Sequence, residues 1–327
     1  MNEIRYVRAS TPAQAVALAS AEPDTAFVAG GTELTNLMRD GVQVPGLVVD
    51  VNRVAERGIE WQPGRVRIGA LARMAEVARD TGVRHRLPVV STALLASASG
   101  QVRNMASIGG NLLQRTRCWY YRDTALPCNA RVPGSGCPAL AGENRWHAIF
   151  GGSESCIRVH PSDLAVALTA LDATVLTQGP GGARRLPIET LHRLPGDAPH
   201  RETVLEHGEL VVAVEVPATA MAARSRYRKV RDRASFEFAL VSVAVALELR
   251  GRTVRDVRIA LGGVAPRPWR AREAEDVLRG ERLTDAAVAA AGAVAVRGAV
   301  PREHNAFKLD LVSRTLAGVL GELGGGR

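Results

Sequence analysis

Lysine is almost missing from this chain of 327 residues: Lys229 and Lys308 are the only two, so 40 of its 42 basic side chains are arginine. Aromatic residues make up 4% of the sequence, and Lys+Arg 42 against Asp+Glu 33 leaves a formal net charge of +9. Such an excess permits a nucleic-acid partner. Nucleic-acid grooves, however, pair cations with stacking aromatics, and the densest basic run, Arg224 to Arg233, holds one aromatic residue, Tyr227. The run is expected to be a mainly solvated strand, with no nucleic acid as partner. No stretch approaches the roughly 18 consecutive apolar residues of a membrane span. Met1 to Tyr6 lacks the apolar core of an export signal, so no signal is expected here and the fold should start at once. Disorder is expected only from Gly324 to Arg327.

Two catalytic signatures are missing as well. Neither lysine follows a glycine, which excludes the phosphate loop G-x-x-x-x-G-K-[ST], and no H-E-x-x-H occurs. A G-x-G-x-x-A at Gly134, Gly136 and Ala139 follows Arg131-Val132-Pro133 rather than a strand, so it lacks the context of a dinucleotide fingerprint.

What remains is ordinary globular material, 46% apolar and 23% charged, long enough for two or three domains. Thr11-Pro12 opens a helix, Ala26 to Ala29 reads as a buried strand, and Leu34, Leu37 and Met38 share a helix face that stops near Gly41. Leu47 to Val51 and Arg65 to Gly69 read as strands, with helices near 73–80 and 87–98. Residues 100–158 form a long Gly-, Asn- and Arg-rich stretch, and a loop of that length calls for a bound group to hold it. Pro161-Ser162-Asp163 caps a further helix. Strands are expected at 210–216, 236–249 and 255–262, then helices near 271–279, 284–297 and 304–321, which makes the C-terminal part a separate α+β unit.

Two glycine pairs carry chemistry. Ala29-Gly30-Gly31-Thr32-Glu33-Leu34 sits at a strand-to-helix junction, where free backbone N–H groups and the helix dipole favour an anion. Ser107-Ile108-Gly109-Gly110-Asn111 is a second such loop. A single Gly-Gly is usually a tight turn, and even two do not name a ligand. The cysteines say more. Cys118, Cys128, Cys137 and Cys156 fall within 39 residues, which chance produces less than about one time in a hundred, so they are expected to act together. Three readings stay open: a [4Fe–4S] cluster wrapped by a long loop, a structural zinc without the usual close knuckles, or disulfides and plain buried thiols.

Four blocks carry a resemblance: AGGTELTNLM at 29–38, ASGQVRNMASIGGNLLQRTRC at 98–118, HPSDLAVAL at 160–168 and YRKVRDRASFEFALVSVAVAL at 227–247. They resemble the FAD-binding medium subunit of the molybdenum hydroxylases, the family of xanthine dehydrogenase and carbon monoxide dehydrogenase. The cysteine-bearing stretch is most similar to the periplasmic aldehyde oxidoreductase branch. The resemblance implies an α+β fold, with a two-subdomain FAD-binding domain of the molybdenum hydroxylase flavoprotein type (1–56 and 57–220, the latter holding an iron–sulfur loop at about 112–158) and an α+β C-terminal domain at 221–324. It implies that Phe27, Val28, Ala29, Gly30, Gly31, Thr32, Glu33 and Leu34, with Ser107, Ile108, Gly109, Gly110 and Asn111, cradle the FAD. Asp163 would contact the flavin nucleotide, Lys229 would lie near the flavin, and Cys118, Cys128, Cys137 and Cys156 would ligate a [4Fe–4S] cluster. Glu33 stands where relatives often carry an amide or aspartate.

The implied function is electron transfer within a heterotrimer. A large molybdenum-cofactor subunit would oxidise the substrate, an aldehyde. A small subunit with two [2Fe–2S] clusters would pass electrons to FAD on this chain, and an external acceptor would take them away. No catalytic acid or base for the substrate is expected here, and the compartment is either the periplasm, reached on a partner's signal, or the cytoplasm. The competing readings are a zinc-stabilised binding module and a self-sufficient FAD oxidoreductase.

Overall fold

The computed structural model describes residues 3–54 and 56–325; the expectations for Met1, Asn2, Gly326 and Arg327 lie outside these. Near the N-terminus, β1 (Arg5–Arg8), β2 (Thr25–Val28) and β3 (Leu47–Asp50) form a parallel sheet in the order β1-β3-β2. Parallel neighbours need crossovers, here the helices Pro12–Ser20 and Leu34–Arg39. The first starts as its sequence dictates, with Thr11 accepting a hydrogen bond from the Gln14 N–H and Pro12 in the first turn. The central strand β3 is buried along its whole length.

The second sheet is antiparallel: β4 (Ile59–Gln62), β5 (Arg65–Gly69), β6 (Thr174–Gly179), β7 (Gly182–Pro187) and β8 (Leu210–Pro217), ordered β4-β5-β8-β6-β7. Its core is shared with the helices Met74–Arg79, Pro88–Ala96 and Asp163–Ala170. The third sheet, ordered β12-β11-β10-β9, contains β9 (Ser225–Val230), β10 (Val241–Arg250), β11 (Thr253–Gly262) and β12 (Trp269–Arg270). The helices Arg272–Leu278, Asp285–Val294 and Phe307–Gly324 cover one of its faces.

Strand β10 shows how the units are joined. Side chains alternate across a strand. Val241, Val243, Val245 and Leu247 enter the C-terminal core, while Ala244 and Ala246 enter the core of the second sheet. Both faces are dry, which accounts for a near-continuous apolar run. The alanines leave room for the helix Asp163–Ala170 to pack closely on the other side.

Several expectations need adjusting. The strand foreseen at 236–249 begins at Val241, because Phe236 takes a left-handed φ of 51° and turns the chain. The basic run does form a strand, β9, but only one of its faces is solvated: Ser225 and Tyr227 are buried. Arg226 and Arg228 of this strand share an ion pair with Glu322, and Arg224 just before it donates to the Leu323 carbonyl. The stretch 100–158 is broken by the short helices Gly100–Met105, Ile108–Leu112 and Trp119–Arg122 and a 3-10 turn at Pro138–Leu140. Gly324 ends the last helix in regular structure, and Gly325 caps it with φ 82°. Among the described residues no helix is long and apolar enough to cross a membrane.

Both lysines are buried. The Lys308 ammonium, in a residue with 0% exposure, donates to the carbonyls of His147 at 2.8 Å and Gly263 at 2.7 Å, tying the last helix to the cysteine-bearing stretch. Two histidines are buried together, with the rings of His160 and His192 4.0 Å apart. His192 Nε2 lies 2.9 Å from the Leu112 carbonyl, a contact that suits an Nε2–H donor. Burial pulls the His192 imidazole down to about 4 and the His160 imidazole well below its usual value. Unfolded histidine titrates near 6.5, so between roughly pH 6.5 and 4 the unfolded chain binds protons that the folded chain refuses, and stability falls as pH drops. The urea midpoint is expected to be clearly lower at pH 5 than at pH 7. His192→Gln should lessen that slope, with His160 and His147, both also lowered by burial, keeping the rest, and an unchanged slope would remove His192 as a contributor.

Candidate functional site

The first glycine pair lies where β2 ends. Gly31 has φ 72°, a left-handed conformation that glycine adopts freely. A Cβ on Gly30 would lie 1.9 Å from the Met105 carbonyl oxygen, so no side chain fits. Among the described residues, the backbone N–H groups of Gly30, Gly31, Thr32 and Glu33 have no hydrogen-bond acceptor. Four neighbouring amides without partners at the start of a helix make an anion site. They open into a cavity of about 210 Å³ lined by Phe27 to Leu34 together with Ser107, Gly109 and Gly110.

The second pair is built differently. It forms the short helix Ile108–Leu112, capped by the Ser107 side chain. The N–H groups of Ile108, Gly109, Gly110 and Asn111 are taken by the Ala72 carbonyl, the Ala70 carbonyl, Ser107 Oγ and the Ser107 carbonyl. The free amides expected in this loop are therefore absent. Ile108 faces the core, and a Cβ on Gly109 would press on Ala70 Cβ at 3.0 Å. This turn forms a wall of the cavity and offers it no row of donors.

From Thr32, Glu33 and Gly110 the space continues into a second cavity of about 190 Å³, reached also by Asn111, Asp163, Lys229 and Phe238. Asp163 begins the helix Asp163–Ala170, whose cap is Ser162. Its carboxylate accepts from Lys229 Nζ at 2.7 Å and from the Tyr227 hydroxyl, with Ser97 Oγ at 2.9 Å. Lys229 also donates to the Ala96 carbonyl at 3.3 Å. Register puts Tyr227 and Lys229 on the same face of β9, and both meet Asp163 below. Burial, and then the neighbouring carboxylate, push the Tyr227 hydroxyl well above its usual range. An ammonium with three donors, two of them engaged, leaves one for the cavity.

The four cysteines, scattered over four turns of chain, line one narrow cavity with His147 and Tyr121. All four are free thiols, so the disulfide alternative is not realised. His147 Nε2 lies 3.2 Å from Cys118 Sγ. Burial pushes the Cys118 thiol up to about 12 and raises Cys128, while a hydrogen bond with Cys137 raises Cys156 and lowers Cys137. Cys118, Cys128 and Cys156 are thus held in the neutral form, and a bound cationic centre inverts that preference. Among the described residues, however, no three His, Cys, Asp or Glu side chains are set to hold a metal ion. A third cavity, about 220 Å³, is bordered by both Cys118 and Asp163 and so lies between the thiols and the second cavity.

Glu33 is the residue whose contacts the sequence left open. Its carboxylate accepts from Arg117 Nη2 at 2.6 Å, Arg122 Nη2 at 2.6 Å and the Arg115 N–H at 3.0 Å. The three arginines were not foreseen as site residues. The only signal in the sequence was their crowding around Cys118.

Comparison with known proteins agrees with this geometry. Residues 2–219 match the family described as FAD binding domain in molybdopterin dehydrogenase, and residues 225–323 match the CO dehydrogenase flavoprotein C-terminal domain. The chain is 48% identical over 324 residues to the aldehyde oxidoreductase FAD-binding subunit PaoB of Escherichia coli, covering 98% of each. It is 28% identical to the carbon monoxide dehydrogenase medium chain of Hydrogenophaga pseudoflava, covering 86% of this chain and 81% of that one. A crystal structure of carbon monoxide dehydrogenase from the same organism superposes with a TM-score of 0.76 at 27% identity over 98% and 96% of the two chains. Quinoline 2-oxidoreductase from Pseudomonas putida shares the fold, with a TM-score of 0.77 at 23% identity over 99% and 98%.

The Asp163–Lys229 pair has side chains 6% and 3% exposed. Removing one member of a buried pair strands the other. Asp163→Ala is expected to cost about 3–5 kcal/mol in urea unfolding, and Asp163→Ala with Lys229→Met should regain part of that. A single-variant cost below about 1 kcal/mol would show that the pair is effectively solvated.

Proposed function

The chain belongs to the FAD-binding subunits of the molybdenum hydroxylase family, and from that premise we propose that it is the electron-transfer flavoprotein of a molybdenum-dependent aldehyde oxidoreductase, carrying a [4Fe–4S] cluster beside its FAD. One observation carries the reading: a continuous cleft runs from four unpaired amides to the buried Asp163–Lys229 pair, with four thiols gathered one cavity away. Relatives named as FAD-binding subunits and medium chains support an assembly of several subunits. In this reading a large molybdenum-cofactor subunit oxidises the aldehyde, and a small subunit with two [2Fe–2S] clusters delivers the electrons. An external acceptor removes them. A signal on the small subunit would take the assembly to the periplasm.

Four free amides suit a pyrophosphate, and four cysteines on one cavity supply the ligand type of a cluster, although their side chains are not set to hold a metal ion in this structure. The amides of Gly30, Gly31, Thr32 and Glu33 would hold the pyrophosphate, Phe27 to Ala29 would line the adenosine side, and the turn at Ser107–Asn111 would close the cleft. Lys229 keeps a donor and a positive charge at the far end, and Asp163 fixes its position. FAD, when bound, supplies a store that exchanges electrons one or two at a time. The protein's part is to orient it, exclude water and set the charge around it. Cys118, Cys128, Cys137 and Cys156 would hold the cluster as thiolates.

Iron, sulfide and flavin analysis of the anaerobically purified assembly tests this. About eight irons and one flavin per assembly are expected, about four of the irons on this chain and about four in the two [2Fe–2S] clusters of the small subunit. Cys128→Ser should bring the count down to about four, and Gly30→Ala should lose the flavin while still binding iron on this chain. Only about four irons per flavin in the wild-type assembly would sink the cluster assignment, and zinc on the cysteines would return them to a structural role.

A further inference from the structure

We propose that Glu33 is a latch between the two cofactor sites, so that filling the thiol site tightens FAD binding and FAD in turn tightens metal retention. The inference rests on the reading above. Glu33 belongs to the turn that presents the four free amides, yet all its donors come from the other site: Arg115, Arg117 and Arg122 flank Cys118 in the chain. The attachment has an apolar half one helical turn on, where Leu37 packs with Tyr121, Cys128 and Ala130. Arg115 and Arg122 lie over the Tyr121 ring, at 5.1 and 6.0 Å from its centre, which stiffens the arm they share.

Charge makes the attachment matter to a ligand. Docked, Glu33 is matched by the guanidiniums of Arg117 and Arg122, so its own charge is more than offset. If the arm around Cys118 withdraws, a bare carboxylate is left beside the place where a pyrophosphate would sit, and like charges repel. The turns of the arm around Cys128 and Cys137 are held by bonds such as Gly136 N–H to Asn129 Oδ1 and Cys128 N–H to Ser135 Oγ, and Asn129 Nδ2 reaches the Ser155 carbonyl beside Cys156. Four neutral thiols add only weak contacts, whereas thiolates on a common centre would fix the arm. Coupling of this kind is reciprocal.

The test is FAD affinity, read by flavin fluorescence on the full chain in its assembly, with iron present and after anaerobic chelation. Wild type is expected to bind FAD about tenfold more weakly once iron is removed. In Glu33→Gln, which keeps the volume and loses the charge, no bare carboxylate is left when the arm withdraws, so FAD should bind with nearly the same affinity in both states, the iron effect falling below about twofold. Glu33→Asp should recover part of the coupling. Equal iron effects in wild type and Glu33→Gln would overturn the latch. If the purified assembly holds no iron beyond the two [2Fe–2S] clusters of the small subunit, the cluster reading fails by itself. The latch is then decided by Glu33→Gln and Arg117→Gln singly and together: non-additive changes in FAD affinity support it and additive changes overturn it.

Discussion

A strand with no wet face, β10, holds the rest of the molecule in place. Its odd-numbered residues from Val241 to Leu247 are committed to the C-terminal helices, and Ala244 and Ala246 to the helix Asp163–Ala170. Neither unit can withdraw without exposing an apolar wall, so the two behave as one body where they meet. Because β9 pairs with β10, its register is fixed too, with Ser242 opposite Lys229 and Ala244 opposite Tyr227. Side chains on that face can go only toward the start of the neighbouring helix, where Asp163 waits with a carboxylate. The cation at the end of the flavin cleft is thus a by-product of how two cores share a strand.

Polar groups confined by such dry surroundings collect at the ends of elements. Ser162 caps a helix and at the same time donates to Asn111 Oδ1 at 2.6 Å, tying the second glycine turn to Asp163. The first turn is tied to the cysteine arm by Glu33. The walls of the cleft are therefore fastened to different parts of the chain, one to the shared core and one to the thiols.

What the sequence disclosed and what it hid follow from the range of the forces involved. Helix starts at Thr11 and Ser162, the break at Gly30-Gly31 and the periodic C-terminal helices depend on neighbours a few residues away, and all are present. The cysteines were recognisable as a group because crowding in sequence brings groups together at little entropic cost. The hairpin β6–β7 escaped notice because its outer strand carries the adjacent arginines Arg184 and Arg185, which read as surface. The contacts of Glu33 escaped for another reason, its partners lying 82 to 89 residues away. Gly109 was noticed for the wrong reason: it is small because Ala70 lies against it.

The scarcity of lysine has a chemical side. Lys308 is fully enclosed and the Lys229 side chain is 3% exposed, so every cationic side chain that reaches solvent on the described surface is a guanidinium or an imidazole. Carbonyl compounds condense with unprotonated primary amines, whereas guanidinium stays protonated and is a poor nucleophile. In the proposed assembly such a subunit would present no side-chain amine over its described surface on which an aldehyde could form an imine. Of its two amines, Lys308 is enclosed and bonded to carbonyls of its own fold, and Lys229 is held by Asp163 and faces only the cleft.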